Sequence, residues 1–392
     1  MISTFKTTIL KTNHISMKLT LMKLTAACIA VTISMGSTAQ TADPINVVTT
    51  AVPFLRISPD ARAGGMGDIG VATAPDANSA FWNMGKAAFA TKKGSVAVTY
   101  TPWFKDLGLN DVYLATLGGY VKVDEGSAVT ASLRYFSLGN IQFTDNLGND
   151  LQSFRPREFA IDAGYSRKLT STLGLGVSLR YINSNLANGT VNGTTYKTGS
   201  SVAGDIGLYN QGTKGWNWGV TLNNLGAKIA YTNDADKKDF IPANLGLGAT
   251  YTKKYDDVNQ ITFGVDVHKL LVPTPPLSGD SAGLVEYRNK GVVGSWFSSL
   301  GDAPGGFKEE MREFQVSAGA EYTYNDQFSF RAGYFFEDKT KGNRKYFTLG
   351  AGVKYNMFGL NFSYLLPSGS GTNRNPLSNT MRFSLVFDFD GK

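Results

Sequence analysis

Residues 173–181 place Leu173, Leu175, Val177, Leu179 and Tyr181 at alternate positions, with Gly174, Gly176, Ser178 and Arg180 between them. A period of two turns successive side chains to opposite faces of an extended strand. One face is then wholly apolar and the other small, polar or charged. The pattern recurs: Val129, Ala131, Leu133 and Tyr135 alternate with Thr130, Ser132 and Arg134, and Leu245, Leu247, Ala249 and Tyr251 with Asn244, Gly246, Gly248 and Thr250. Farther on, Phe314, Val316, Ala318, Ala320 and Tyr322 oppose Gln315, Ser317, Gly319 and Glu321, while Phe347, Leu349, Ala351, Val353 and Tyr355 oppose Thr348, Gly350, Gly352 and Lys354. The last segment puts Phe383, Leu385, Phe387 and Phe389 on one face. A soluble β-sandwich also alternates, but it turns polar side chains to the outside. The apolar sets here carry no Lys, Arg, Asp or Glu, as a lipid-facing wall demands when one charge at mid-bilayer costs roughly 2–4 kcal/mol. The pattern predicts an all-β fold: a transmembrane antiparallel β-barrel whose polar face is a lumen.

Counting such segments gives about fourteen strands, an even number as bacterial barrels require. They fall near residues 95–101, 112–122, 127–138, 157–168, 173–183, 200–211, 216–224, 241–252, 258–268, 312–324, 327–337, 345–355, 359–366 and 379–389. Connections after even-numbered segments are short, as at Asp124-Glu125-Gly126, Asn325-Asp326 and Asn356-Met357, and those after odd-numbered ones are mostly long, the longest being residues 269–311. Short periplasmic turns and long outer loops then put both ends of the barrel in the periplasm. Tyr135, Tyr181 and Tyr334 fall at outer strand ends and Tyr165, Tyr251, Tyr322 and Tyr355 at inner ends, as two interfacial girdles would. Inward positions carry Arg134, Asp162, Arg180, Asp205, Asp266, Glu321, Arg331, Lys354 and Arg382. Charges of both signs favour a packed, hydrogen-bonded interior over a selective ion pore.

The chain opens with an export signal. Lys18 and Lys23 precede an apolar run over residues 24–35, and Ser37-Thr38-Ala39 supplies small residues for cleavage after Ala39. Met17 or Met22 would serve equally as the start, since residues 1–16 are polar. Most of the apolar run follows Cys28 instead of preceding it, against a lipoprotein signal, and the processed chain has no cysteine and no disulfide framework. Residues 1–39 carry four lysines and no acid, so processing lowers the formal net charge from +7 to +3, and nucleic acid is not implied. Residues 40–93 are rich in Gly, Ala and Asp with few long apolar runs. They cannot form a strand pair or a stable helix alone. Fourteen strands leave a lumen too wide for wall side chains to fill, so this stretch is expected to fold inside as a hatch. The barrel then occupies residues 94–392.

The stretch Ser58-Pro59-Asp60-Ala61-Arg62-Ala63-Gly64-Gly65-Met66-Gly67-Asp68-Ile69-Gly70-Val71-Ala72, followed by Pro75-Asp76-Ala77-Asn78-Ser79-Ala80-Phe81-Trp82-Asn83, closely resembles the N-terminal hatch of the PorV (LptO) family. These are outer-membrane proteins of the Bacteroidetes type IX secretion system, within the wider FadL-like class of fourteen-stranded barrels. Ser298-Ser299-Leu300-Gly301-Asp302-Ala303-Pro304-Gly305-Gly306-Phe307 with Glu309-Glu310 is similar to the family's long loop. The chain departs at Asn83-Met84-Gly85, where the family usually has Asn-Pro-Ala. The resemblance implies a non-enzymatic carrier that engages the secretion pore and accepts the C-terminal signal domain of emerging cargo. It delivers that cargo to a surface sortase and attachment complex, which joins it to lipopolysaccharide. Gly65, Gly67, Asp68, Trp82 and Asn83 are the hatch positions the resemblance marks.

A closed barrel leaves no free sheet edge in the membrane, so partners must meet the outer loops or the lipid-facing wall. The loop over 269–311 carries Trp296, Phe297 and Phe307 among glycines, and aromatics on loops are common interface anchors. They either face a partner or fold back as a lid or into the membrane interface. Elsewhere little chemistry is expected. Gly65-Met66-Gly67-Asp68-Ile69-Gly70 matches G-x-G-x-x-G, but Pro75 follows and no strand-then-helix context surrounds it, so tight hatch packing replaces a dinucleotide site. His268 is the only histidine after residue 39 and turns inward with Asp266, with no serine beside it for a barrel lipase. Transition-metal ligands are scarce. Asp234, Asp236 and Asp239 lack the glycine and glutamate of a calcium loop. No cofactor and no catalytic residue is expected. Two functions compete: a type IX secretion shuttle, and a FadL-like transporter of hydrophobic small molecules gated by the hatch near Gly246 and Gly248, glycines that contact with the plug would equally explain. A general porin would need an open lumen.

Overall fold

The computed structural model describes residues 45–390 apart from 106–107, 145–146, 192–193, 235–237, 278, 367–376 and 378. The export signal expected over 1–39, the first residues of the expected hatch and Asp236 lie outside the described residues. Fourteen antiparallel strands form one closed barrel. In chain order they are β1 (Gly94–Pro102), β2 (Val112–Asp124), β3 (Ser127–Leu138), β4 (Arg157–Lys168), β5 (Leu173–Asn185), β6 (Gly199–Gln211), β7 (Trp216–Gly226), β8 (Asn244–Lys254), β9 (Asn259–Leu270), β10 (Gln315–Tyr324), β11 (Phe328–Phe336), β12 (Lys345–Tyr355), β13 (Phe358–Leu366) and β14 (Met381–Phe389). Each pairs with its sequence neighbour, and β1 closes on β14 from Gly94↔Phe389 to Tyr100↔Phe383. Among the described residues, two-stranded hairpins inside the connections pair 141–144 with 150–154, 189–191 with 194–196, and 229–230 with 238–239.

Alternation acts as the sequence predicts along most of the wall. Val177, Leu179 and Tyr181 are exposed on the outside while Gly176, Ser178 and Arg180 are buried inside. Outward aromatics meet their neighbours across strands near the long-loop rim, as in Tyr100 with Tyr113 and Tyr113 with Tyr135, and Trp216 meets Tyr251 near the opposite rim. One expectation is corrected. The inner face is not polar throughout: toward the long-loop rim, Leu114, Phe136, Ala160 and Ile182 point inward and pack with Val52, Phe54 and Leu55 from the N-terminal segment. An apolar core therefore fills the outer half of the lumen, because that segment brings apolar side chains of its own to cover the wall.

The N-terminal segment runs the length of the lumen from the long-loop rim. Asn46 donates to the carbonyl of Pro275 and its backbone N–H to Thr340, both in long loops, and Val48 packs with Phe240, Leu270 and Val272. A 3₁₀ turn (Pro53–Arg56) precedes α1 (Ala61–Gly65); then come α2 (Ser79–Trp82) and a 3₁₀ helix (Met84–Phe89) near the short-turn rim, before β1. These helices are too short to persist alone. Asp60 caps α1, accepting from the Ala63 N–H at 2.9 Å and from the Trp82 indole at 2.7 Å, which ties the two helical pieces together.

The longest connection, between β9 and β10, reads from the sequence as a loop with aromatics among glycines. It instead folds as α3 (Ser281–Asn289), α4 (Val292–Ser298) and α5 (Phe307–Glu310). Asp280 caps α3 by accepting from Gly283 N–H at 2.8 Å. The helices were not legible because their apolar positions are few and no long helical period spans them.

Candidate functional site: the hatch and the outer loop layer

The hatch backbone is held by side chains from around the whole wall. Ser384 of β14 accepts from Ala61 N–H at 2.9 Å, Thr348 of β12 from Gly67 N–H at 2.8 Å, and Ser166 of β4 from Ala88 N–H at 3.1 Å. Asp266 of β9 accepts from the N–H groups of Gly70 and Val71 at 2.7 and 2.9 Å with one carboxylate oxygen. In the other direction, Thr116 donates to Pro59, Thr250 to Ala72 and Arg134 to Leu55 carbonyls. Buried backbone groups without regular structure need such partners, and here the inward polar residues of the strands supply them.

Glycines let the hatch lie directly on the wall. A Cβ on Gly65 would come within 2.9 Å of the Gly350 Cα, so two backbones touch where neither has a side chain. Gly67 lies at φ +74°, and a Cβ there would meet the Tyr334 nitrogen at 2.7 Å. Asp68 accepts from the Tyr346 hydroxyl at 2.6 Å. Trp82 is half-buried against Gly70. Asn83, fully buried, donates to the carbonyls of Val71 (3.0 Å) and Leu208 (2.8 Å) and accepts from Gly85 N–H (3.0 Å), so one side chain joins two hatch segments to β6. The structure also gives a reason for Met84-Gly85. A Cβ at Gly85 would sit 2.7 Å from the Gly207 carbonyl oxygen, and the Met84 side chain fills the space left by Gly176 on the wall. Gly248 likewise faces Val71 of the hatch, whereas Gly246 faces Thr221 and His268.

Charges lock the assembly. Glu321 of β10 accepts two hydrogen bonds from Arg62 (2.8 and 3.1 Å) and one from Arg331 of β11 (2.6 Å), and Arg62 also reaches Asp76 at 2.8 Å. Arg180 joins Asp162, Asp205 and Asn224 across β4, β5, β6 and β7. Lys86, fully buried, donates to the Gly70 carbonyl and Thr73 hydroxyl. Sequence reading marked the inward charges of the strands but missed Arg62 and Lys86 as their hatch counterparts. The lumen is left with a polar vestibule of about 620 Å³ toward the short-turn rim and a chamber of about 100 Å³ beneath the outer loops, and no residue lines both.

A second charged cluster holds the outer loop layer. The Lys269 ammonium bridges Glu310 (2.5 Å) and Glu313 (2.7 Å), and that of Lys341 bridges Glu309 (2.6 Å) and Glu313 (2.9 Å). Thr274 donates to Glu313 at 2.7 Å. Burial pushes the Glu313 carboxyl up, but the two lysines and Thr274 outweigh it and hold it below the usual carboxylate range. A carboxyl depressed in the folded protein stabilises it above the unfolded value and loses that contribution as pH falls through the folded one. Limited proteolysis within residues 279–301 should therefore be slow at pH 7 and faster below about pH 4. Glu313→Gln should be cleaved quickly at both; a variant as resistant as the parent at pH 7 would remove the cluster as the anchor. On this framework Trp296 is half-buried in α4, while Phe297 and Phe307 are 73 % and 80 % exposed. The structure does not bring these two sets of expected residues together: the hatch group is deep in the lumen and the aromatics stand on the outer helices. Among the described residues, no group of three or more His, Cys, Asp or Glu side chains could hold a metal ion.

A hatch-filled fourteen-stranded barrel with a lipid-compatible outer wall defines an outer-membrane protein of the FadL-like fold. The chain belongs to the PorV family, "Type IX secretion system protein PorV", whose match spans residues 39–277. Among solved structures it is similar to the Ralstonia pickettii toluene transporter TbuX (12 % identity, 85 % of this chain and 98 % of that one, TM-score 0.52). It is similar also to the CymD monoaromatic hydrocarbon channel (13 %, 88 % and 100 %, TM-score 0.52) and to a Pseudomonas aeruginosa FadL homologue (12 %, 88 % and 99 %, TM-score 0.48). At such identities the likeness to TbuX and CymD carries the fold alone. A search of curated protein sequences finds no match.

Proposed function

We propose that this protein is a non-enzymatic carrier of the type IX secretion system. It receives the C-terminal signal domain of cargo leaving the secretion pore and passes the cargo to the surface sortase and attachment complex for coupling to lipopolysaccharide. The observation that supports this reading is the combination of a hatch-filled lumen with aromatic side chains presented outside it. The hatch is bonded to nine strands of the wall and the two lumen cavities share no lining residue, whereas Phe297 and Phe307 stand exposed on the outer helices, and the Lys269–Glu313–Lys341 cluster holds the helix that carries Phe307. Exposed aromatics on a fixed support are the groups that anchor protein interfaces.

Phe297→Ala with Phe307→Ala should weaken capture of the signal domain or the pore by about tenfold or more, read as co-purification from native membranes and as surface-attached cargo. Heat-modifiability of the barrel should not change, because neither side chain is buried. Wild-type attachment in the double variant would take these residues out of the reading. The competing reading, transport of hydrophobic small molecules, draws on the fold shared with hydrocarbon transporters. A deletion strain that attaches cargo normally but grows poorly on hydrophobic substrates would favour it.

A further inference from the structure

The chamber of about 100 Å³ between the hatch and the wall, on the long-loop side, has a one-sided chemistry. Two of the arginines that line it are already matched, Arg180 by Asp162 and Asp205 and Arg344 by Glu337. Arg134 has no carboxylate partner, and Arg56 has only a shared one. Arg134 donates only to the carbonyls of Leu55 (2.6 Å) and Phe81 (3.4 Å), its guanidinium lies over the Phe81 ring at 4.9 Å, and its Nε is buried without a partner. Arg56 keeps a buried Nη2 that makes no hydrogen bond; its nearest carboxylate, Glu337, is 3.6 Å away and already accepts twice from Arg344.

Two further donors join them. The Nδ1 of His268 lies 3.1 Å from the Asn244 amide nitrogen, which can only donate. Nδ1 is therefore the acceptor and the ring proton sits on Nε2, which is buried and unpartnered, 3.9 Å from Asp266. The Ser58 hydroxyl is likewise buried without a partner. Against these four stands one unmatched acceptor that lines the chamber, the Asp68 Oδ1, 3.9 Å from Arg382. Water offers donors and acceptors equally and serves such a set poorly. An acceptor-only, negatively charged group serves it well, and guanidinium groups are the side chains that hold phosphate and its relatives most effectively.

We infer that this chamber binds a phosphate-like oxoanion, held between Arg56 and Ser58 of the hatch and Arg134 and His268 of the wall. The bound group would join hatch to barrel from the outer side. The source is either a free ion or the phosphate of a lipid head group, and both offer the same oxygens.

The test uses the full chain purified in a non-ionic detergent and exchanged free of phosphate. Titrating inorganic phosphate should raise the heat-modification midpoint saturably, beyond any effect of chloride at equal ionic strength, and should broaden the ³¹P resonance. Arg56→Gln combined with Arg134→Gln should weaken the response by about tenfold or more. Should that variant fail to fold, Ser58→Ala with His268→Leu removes two donors without touching a charge and should shift the titration in the same direction. Native mass spectrometry of protein taken directly from membranes separates the sources: an adduct of phosphate mass marks the free ion, and one of phospholipid or lipopolysaccharide mass marks the head group. A midpoint that responds equally to phosphate and chloride, with no adduct, overturns the inference, as does an undiminished response in a folded arginine double variant.

Discussion

Glu321→Ala is expected to lower stability by about 3–5 kcal/mol, the range for removing one partner from a buried ion pair. Glu321 is nearly buried and serves two guanidinium groups at once, Arg62 from the hatch and Arg331 from β11. After the substitution Arg62 keeps Asp76 and the Ala74 carbonyl, but Arg331 keeps only Asn361 and becomes a buried cation without a carboxylate. The backbone ladder of β10 and β11 does not depend on these side chains, so the barrel should persist while the cross-strand Glu321–Arg331 pair and the seating of the hatch are both weakened. Heat-modification of the purified protein should shift to lower temperature while the folded form still migrates as a barrel. Arg62→Ala and Glu321→Ala should also fail to add, with a coupling of more than about 1 kcal/mol, because each removes the other's partner. Additive effects below that size would show that Glu321 does not tie hatch to wall.

Much of this arrangement is written in alternation. Period two identified all fourteen strands to within a few residues, because each outward set is apolar and a one-residue slip would turn a charge such as Arg180 or Glu321 into lipid. It also marked the inward charges, whereas the glycines of the hatch were marked by the family resemblance. What it could not give was which hatch residue meets which wall residue. Arg62 and Glu321 are 259 positions apart, and Asp266 meets Gly70 and Val71 across 196 and 195, contacts fixed only by the closed register of the barrel. Where strands run into the outer apolar core the rule itself fails. Ile182 continues the alternation of β5 on its inner face, but there the hatch offers Phe54 and Leu55 in place of water. The boundaries of β8 and β10 moved inward for a similar local reason: Phe240 and Ile241 are drawn into the cores beneath the loops, and residues 311–313 form a 3₁₀ turn that carries Glu313 to Lys269.

Gly67→Val should unseat the hatch more drastically than any surface change. The backbone at this position has φ +74°, a conformation that costs a β-branched residue about 1–3 kcal/mol. The added side chain would also start 2.7 Å from the Tyr334 nitrogen and 2.8 Å from its carbonyl oxygen. Those atoms belong to β11, whose partners are fixed on both sides by the ladders to β10 and β12, so the wall cannot retreat and the hatch must. Overpacking of this kind costs about 1–3 kcal/mol more. The combined loss of about 2–6 kcal/mol falls on the turn whose N–H groups feed Thr348 and Asp266, so both contacts should go together. The vestibule on the short-turn side would then open toward the outer chamber, and cells carrying the variant should admit large antibiotics that the parent excludes. Gly294→Ala is the matched control: on α4, with nothing within 4 Å of the added carbon, it should be neutral or slightly stabilising. Parental heat-modification and an unchanged permeability barrier in Gly67→Val would mean that the hatch is not seated by this backbone contact, and that the bonds from Asp266, Thr348 and Glu321 hold it without a close fit of glycine to wall.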